Sequence, residues 1–520
     1  MVEGRTQKVI RNSRYAVYMK ILETILAFVL RTIFIRYLST AYLGVNGVFA
    51  NILTVLSLMD LGAGSAISFA LYEELAQNNK SKVVALIDLY KKLYRNIGLL
   101  ILVIGLALTP VLKYVITLPE NIPNIYIIYW LNIANSVMTY FLAYKRTLLI
   151  ADQKSYINYQ NMMLFKITRF IVLSIALIVF HNFILYLALD VLNTFLSNVA
   201  ISIKVSKLYP YLSSMQGEQI PIEEKKQLWK YMKAGLFNKI GQTAVTSTDN
   251  VIISAFISTV TVGLYSNYLL VINGIENLVF LVFSNVTSSV GNLAASKDGT
   301  NKKTRDIFNV LQMINHVIST VSCVGLGVLL NDFIELWLGS DYLLPNNAIL
   351  ICVVNLYITL NTNSVSNFMG AKGEMYYLNR YRPLIETIIN LFVSLYLVNF
   401  TDLGITGVFI GTTVSFMFGR IWMDAKVLFN FWFHEKYSVY IKDYMQKVGI
   451  TLMLYLFCLI ICKSIKSCIG LNIFSFVFMV ALICVICIIV LNLVYRNKAS
   501  YKYVTSNILA KIKWRKKYER

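Results

Sequence analysis

Apolar residues gather along this chain in fourteen runs, most of them close to the roughly 20 residues that a helix needs to cross a bilayer. The runs are 14–37, 42–70, 94–116, 122–144, 161–180, 184–203, 233–257, 261–290, 308–330, 346–370, 383–399, 404–425, 447–462 and 469–495. The first, second, seventh and eighth are polar for membrane helices. The pattern predicts an all-α polytopic membrane protein of about fourteen spans.

The residues between the runs test that count. Of the 48 Lys and Arg, 38 fall in the N-terminal arm, in the connections after even-numbered spans, or in the C-terminal tail, with Arg14, Arg95, Lys233 and Lys447 at the starts of runs counted with the connection before them. The connections after odd-numbered spans hold only Lys463, Lys466 and, counted from the end of the third run, Lys113. Seven basic residues lie inside spans. This alternation is the positive-inside pattern, and it predicts an even number of spans with both termini in the cytoplasm. One miscounted span would break the alternation from that point onward.

Composition agrees. The 520 residues are 57% apolar and only 14% charged, with a net charge of +22 and a mean hydropathy of +0.62. Soluble domains run nearer 25% charged, so a soluble enzyme, a disordered chain and a fibrous protein are excluded. With most cations placed as topology signals, the charge does not call for nucleic acid. The tail KIKWRKKYER (511–520) suits anionic lipid headgroups or serves as a further topology signal. Cys484 and Cys487 form a C-x-x-C inside an apolar run, away from any βαβ pattern, where a redox role is not expected. His181, His316 and His434 are scattered, so no metal site is expected. Lys20, Glu23 and Arg31 in the first run argue against a cleaved signal segment.

The chain also repeats itself. Residues 38–53, LSTAYLGVNGVFANIL, align with 257–272, ISTVTVGLYSNYLLVI, and ADQKSY (151–156) aligns with AKGEMY (371–376) at nearly the same offset. Six spans per copy is an even number, so the copies share one orientation. This arrangement favours two bundles rocking about a site at their interface. The expected organisation is an N-terminal lobe (1–206), a cytoplasmic linker (207–232), a C-terminal lobe (233–430), two extra helices (431–495) and a basic cytoplasmic tail (496–520).

Charges inside membrane spans are costly and mark sites or partners. Lys20, Glu23, Thr24 and Arg31 fall on one stripe of span one, and Lys239, Gln242, Thr246 and Asp249 on one stripe of span seven. Asn250 is the repeat mate of Arg31. Span two adds Asn46 and Asp60, and span eight adds Asn273 and Glu276. These residues are expected to line a wet, partly cationic cavity, with Arg31 and Asp249 as an ion pair or gate. Lys166 and Arg169 in span five, and Arg420 with Asp424 in span twelve, suit either the cavity or static pairs. His316 in span nine reads as a packed core residue.

The stretch RYLSTAYLGVNGVFANILTVLSLMDLGAGSAI (36–67) resembles the signature of Wzx-type polysaccharide flippases. These belong to the polysaccharide transport branch of the multidrug/oligosaccharidyl-lipid/polysaccharide (MOP) exporter superfamily. The second copy, STDNVIISAFISTVTVGLYSNYLLVING (247–274), resembles the same family. The resemblance implies a V-shaped, MATE-like two-lobe fold with alternating access in the bacterial cytoplasmic membrane. It implies a polyprenyl-diphosphate-linked oligosaccharide as substrate, anionic lipids and other polysaccharide-assembly proteins as partners, and no cofactor. A coupling ion, H+ or Na+, cannot be assigned to residues. Arg31 is the first candidate for the diphosphate, with Lys20 and Lys239 next. Competing expectations are a flippase for the peptidoglycan lipid precursor, a multidrug exporter of the same superfamily, and a membrane polymerase or glycosyltransferase using Asp332, Glu335 and Asp341 in the connection 331–345.

Overall fold

The computed structural model describes residues 5–38, 40–56, 63–112, 122–226, 228–229, 248–283, 301–371 and 378–505. Among them there is no strand. The helices are α1 (Arg5–Tyr37), α2 (Thr40–Leu56), α3 (Ala63–Ala76), α4 (Lys80–Leu108), α5 (Ile125–Tyr140), α6 (Tyr144–Ala151), α7 (Ser155–Ile178) and α8 (Phe183–Leu208). After a helix at 248–256 come α9 (Thr259–Phe283), α10 (Asn301–Leu338), α11 (Asn346–Ala371) and α12 (Arg382–Phe400). Then follow α13 (Ile405–Phe433), α14 (Ser438–Ile469) and α15 (Ile473–Tyr495). Helix therefore occurs at each of the fourteen predicted runs, and the all-α expectation holds. Of span seven, 233–247 lies outside the described residues, as does the tail segment 506–520.

Eight of these helices are long and apolar enough to cross a membrane, and nine if α5 and α6, bent by 41°, make one span. Their outer faces are apolar too: Phe392 and Phe400 on α12 and Phe474 on α15 are each more than 70% exposed. Such a surface suits hydrocarbon, where nothing is gained by hiding it. The chain is a multi-pass membrane protein.

Local chemistry sets the helix ends. Asn182 caps α8 by accepting from the Leu185 amide, and Asn472 with Ser475 forms a reciprocal capping box on α15. Gly470, at φ +74°, closes α14.

The chain divides into two compact units, residues 1–266 and 267–520, with the boundary inside α9. In the first, Asn12 meets Gln153 and Tyr156, Tyr15 meets Gln160, and Glu23 meets Lys166. The numbers rise together, so α1 and α7 run in the same direction. From α7 to α8 they run oppositely: Asn161 meets Ser197, Thr168 meets Asn193, and Arg169 meets Asp190. In the second unit, α10 and α14 run together (Thr320 with Thr451, Asp332 with Lys466). There α10 and α15 are opposed (His316 with Tyr495, Phe333 with Phe476). Likewise α11 and α13 run together (Asn355 with Thr413, Thr359 with Arg420). Helices at predicted spans of like parity thus share a direction in each of these pairs, and those of unlike parity oppose each other.

The stretch after α8 packs on the first unit. Lys82 on α4 bridges Glu74 and Glu224 at 3.0 Å each, and Ile220 joins the buried cluster of Ile67, Leu86 and Tyr90.

Candidate substrate site

In the first unit, α1, α7 and α8 bring together the charges that their spans carry singly. Lys20 and Glu23, three residues apart on α1, face one way. Glu23 accepts from Lys20 at 3.3 Å and from Lys166 of α7 at 2.8 Å. One turn along α7, Arg169 forks onto Asp190 of α8, Nη2 reaching Oδ2 at 2.9 Å and Nε bonding Oδ1. Asn135 of α5 donates to the same carboxylate at 3.3 Å. Buried Tyr186, one turn from Asp190, faces both Arg169 and Arg31. Arg31 lies about 16 Å beyond Lys20 along α1 and donates to Ser266 Oγ at 2.7 Å. The joined group holds four cations, Lys20, Arg31, Lys166 and Arg169, against two carboxylates, Glu23 and Asp190. Adding Asp249 still leaves a positive excess.

The second unit has its own group. Arg382 of α12 reaches Glu386 at 3.1 Å and Asp424 of α13 at 3.2 Å. Arg420 lies 3.9 Å from Glu386 and donates to Thr359 at 2.8 Å. Asn379 donates to Asp424. Arg420 and Gly419 belong to a π-helical turn, Met417–Met423. A Cβ at Gly419 would collide with the Glu386 side chain, so the missing side chain admits the carboxylate. Half-buried Glu276 adds its charge near Arg420. Two arginines thus face three carboxylates, the reverse of the first unit.

The repeat is visible in these contacts. Asn135 and Asn355 are 220 residues apart. Asn135 meets Asp190 across α5 and α8, while Asn355 meets Phe409 and Thr413 across α11 and α13. Lys166 and Glu386 stand at the same offset. There the repeat keeps a charge and inverts its sign.

Of the residues expected at a site, Lys20, Glu23, Arg31 and Arg169 join the first group, and Arg420, Asp424 and Glu276 the second. Asp249 and Asn250 are buried on the helix 248–256, and the Asn250 Oδ1 makes no hydrogen bond. Asn46 is half-buried and Asn273 exposed. Lys239 and Asp60 lie outside the described residues. Asp190, Glu386, Arg382, Asn135 and Asn379 escaped the sequence, as did the hydroxyl partners Tyr186, Ser266 and Thr359. A lone carboxylate inside an apolar run was the available signal for Asp190 and Glu386. Asp332, part of the proposed catalytic connection, accepts from Lys466 through both oxygens at 2.8 Å. All seven cysteines are free.

No family model matches the chain, and no curated protein matches it. Solved structures do. The lipid II flippase MurJ, in an inward closed conformation, aligns with a TM-score of 0.68 over 94% of this chain and 99% of its own, at 14% identity. A multidrug resistance MATE family transporter of the MOP superfamily, inward-facing, aligns with a TM-score of 0.64 over 80% of this chain and 98% of its own, also at 14% identity. A MOP superfamily transporter from Pyrococcus furiosus, described as having a binding pocket of reversed polarity, aligns at 0.50 over 80% and 93%, at 15% identity. At this identity the likeness is one of fold: the chain has the fold of MOP superfamily transporters.

Proposed function

We propose that this protein is a flippase that carries a polyprenyl-diphosphate-linked oligosaccharide from the cytoplasmic to the outer leaflet by alternating access, for surface polysaccharide assembly. The observation that carries this reading is the excess of cations in the first unit, held on helices that span the membrane. A diphosphate diester brings about two negative charges, and moving them through low dielectric without countercharge is prohibitive. Arginine suits the task, since its planar fork can take two phosphate oxygens at once. Arg31 is the proposed diphosphate ligand, supported by Lys20 and Lys239. Glu23, Asn46, Asn250, Asn273 and Glu276 line the path of the sugars, and Asp249 holds Arg31 until substrate takes its place.

On this reading the lobes are 1–206 and 233–430, both termini are cytoplasmic, and the bacterial inner membrane supplies anionic lipids as partners. The experiment is reconstitution in vesicles with a defined diphosphate-linked oligosaccharide, followed by an external sugar-modifying enzyme. Protein-dependent exposure of the inner-leaflet pool is expected, and no exposure above empty vesicles refutes the reading. A second reading, a flippase for the peptidoglycan lipid precursor, is favoured by the MurJ alignment, which covers 94% of this chain against 80% for the MATE alignment. Offering that precursor in the same vesicles separates the two.

A further inference from the structure

Helix α10 carries a second polar stripe that the charge networks do not use. Gln312, Asn315, His316, Ser319 and Thr320 follow helical spacing on one face, and each is at most 3% exposed. Opposite them stand Tyr357, Asn361 and Ser364 of α11 and Tyr440, Tyr444, Lys447 and Thr451 of α14. Apolar side chains would be the ordinary choice for such an interface in a membrane.

A continuous relay crosses it. The His316 ring meets the Tyr495 hydroxyl through Nε2 at 3.1 Å and Thr320 Oγ1 through Nδ1 at 3.2 Å. Thr320 reaches Thr451 at 2.9 Å, and Thr451 donates to Tyr357 at 3.2 Å. Around the relay, buried polar atoms of three side chains make no hydrogen bond: Oδ1 of Asn315 and of Asn361, and the hydroxyl of Tyr444. Buried groups of this kind are met by internal water, and three of them along one interface make it a polar seam. The charged groups facing His316 are Asp443 and Lys447 of α14 and Lys498 beyond α15. Tyr357 and Tyr495 are titratable groups in the relay with it. Asp443 joins the two lysines at 2.6 and 3.2 Å.

We propose that His316 is a proton-binding site, loaded and unloaded through this buried hydrogen-bonded relay, and that it couples substrate movement to the proton gradient. The proton adds to a neutral imidazole, in which one ring nitrogen donates and the other accepts, and leaves from it unchanged. The proposal rests on the transporter reading above and deepens it by naming the driving ion.

The test uses the full chain in phosphatidylethanolamine–phosphatidylglycerol vesicles holding a pH dye, with a fluorescent polyprenyl-diphosphate oligosaccharide. The wild type should move protons as lipid flips, and an imposed pH gradient should change the flipping rate. His316→Gln should keep flipping without a gradient and lose both proton movement and gradient response. Tyr495→Phe and Thr451→Val, which keep the ring but cut the relay on either side, should slow proton movement. A His316→Gln protein that responds to the gradient like wild type overturns the proposal, as does a wild type that flips lipid without moving protons. Neither result touches the flippase reading. Should no lipid flip at all, that reading fails, and the 15N resonances of His316 in a His181→Gln, His434→Gln background decide the site. A ring that titrates between about pH 5 and 8 supports it, and one that stays neutral throughout, with and without the lipid, overturns it.

Discussion

Arg31 and Arg169 are both arginines inside membrane helices, yet they make different predictions. Arg169 is forked onto a buried carboxylate, a geometry that satisfies both partners. Arg169→Ala strands Asp190 and should cost about 3–5 kcal/mol, whereas removing both partners should cost much less. Thermal unfolding of the purified variants reads this directly, and equal losses in the single and double variants would refute a pair held for structure. Arg31, donating to a serine hydroxyl, is the one proposed to meet phosphate. A charge-assisted hydrogen bond is worth about 1.5–3 kcal/mol, so Arg31→Ala should lower glycan export on the order of 10–100-fold at matched expression. Unchanged export removes Arg31 from the substrate path. The charge-swapped pair Arg31→Asp with Asp249→Arg tests the gate on its own: partial recovery over Arg31→Asp alone is expected.

At the scale of elements, the sequence was clear about where helices lie and less so about what their faces meet. The fourteen apolar runs and the alternating cations follow from span length and topology, which are local properties, and the helices and their directions agree with them. The partners of the intramembrane charges were not legible. Glu23 and Lys166 are 143 residues apart, and Arg169 and Asp190 sit on different spans. Nothing in either span's own pattern says which neighbour it packs on. Gly44 shows the same gap. It aligns with Gly263 when 38–53 is laid on 257–272, but its physical role is contact: a Cβ there would fall on the Thr259 carbonyl, with Val262 packed close to Gly47 one turn on. The obstacle is backbone, which cannot swing aside as a side chain can. Gly44→Ala should therefore cost at least the roughly 1–3 kcal/mol of ordinary overpacking, seen as lower yield and a lower unfolding temperature. Gly325, with nothing near its missing Cβ, should accept alanine silently.

For the whole molecule, helix directions establish which ends lie together but not which side faces the cytoplasm. The orientation comes from the cations, and two of its three exceptions, Lys463 and Lys466, sit near the end of α14. One of them is explained by its partner. Lys466 is bound through both oxygens of Asp332, so its charge is largely cancelled where the topology rule would oppose it. That places the ends of α10 and α14 on one side, which the positive-inside pattern assigns to the exterior. Cys468 lies beside them and is exposed, whereas five of the other six cysteines are buried and Cys484 is half-buried within α15. A membrane-impermeant maleimide added to intact cells should therefore modify Cys468, and Cys468→Ser should abolish most of the labelling. Modification that appears only after the membrane is opened would invert the molecule. Export would then run against the proposed direction, and the clustering of 38 cations in alternate connections and at the termini would need another explanation.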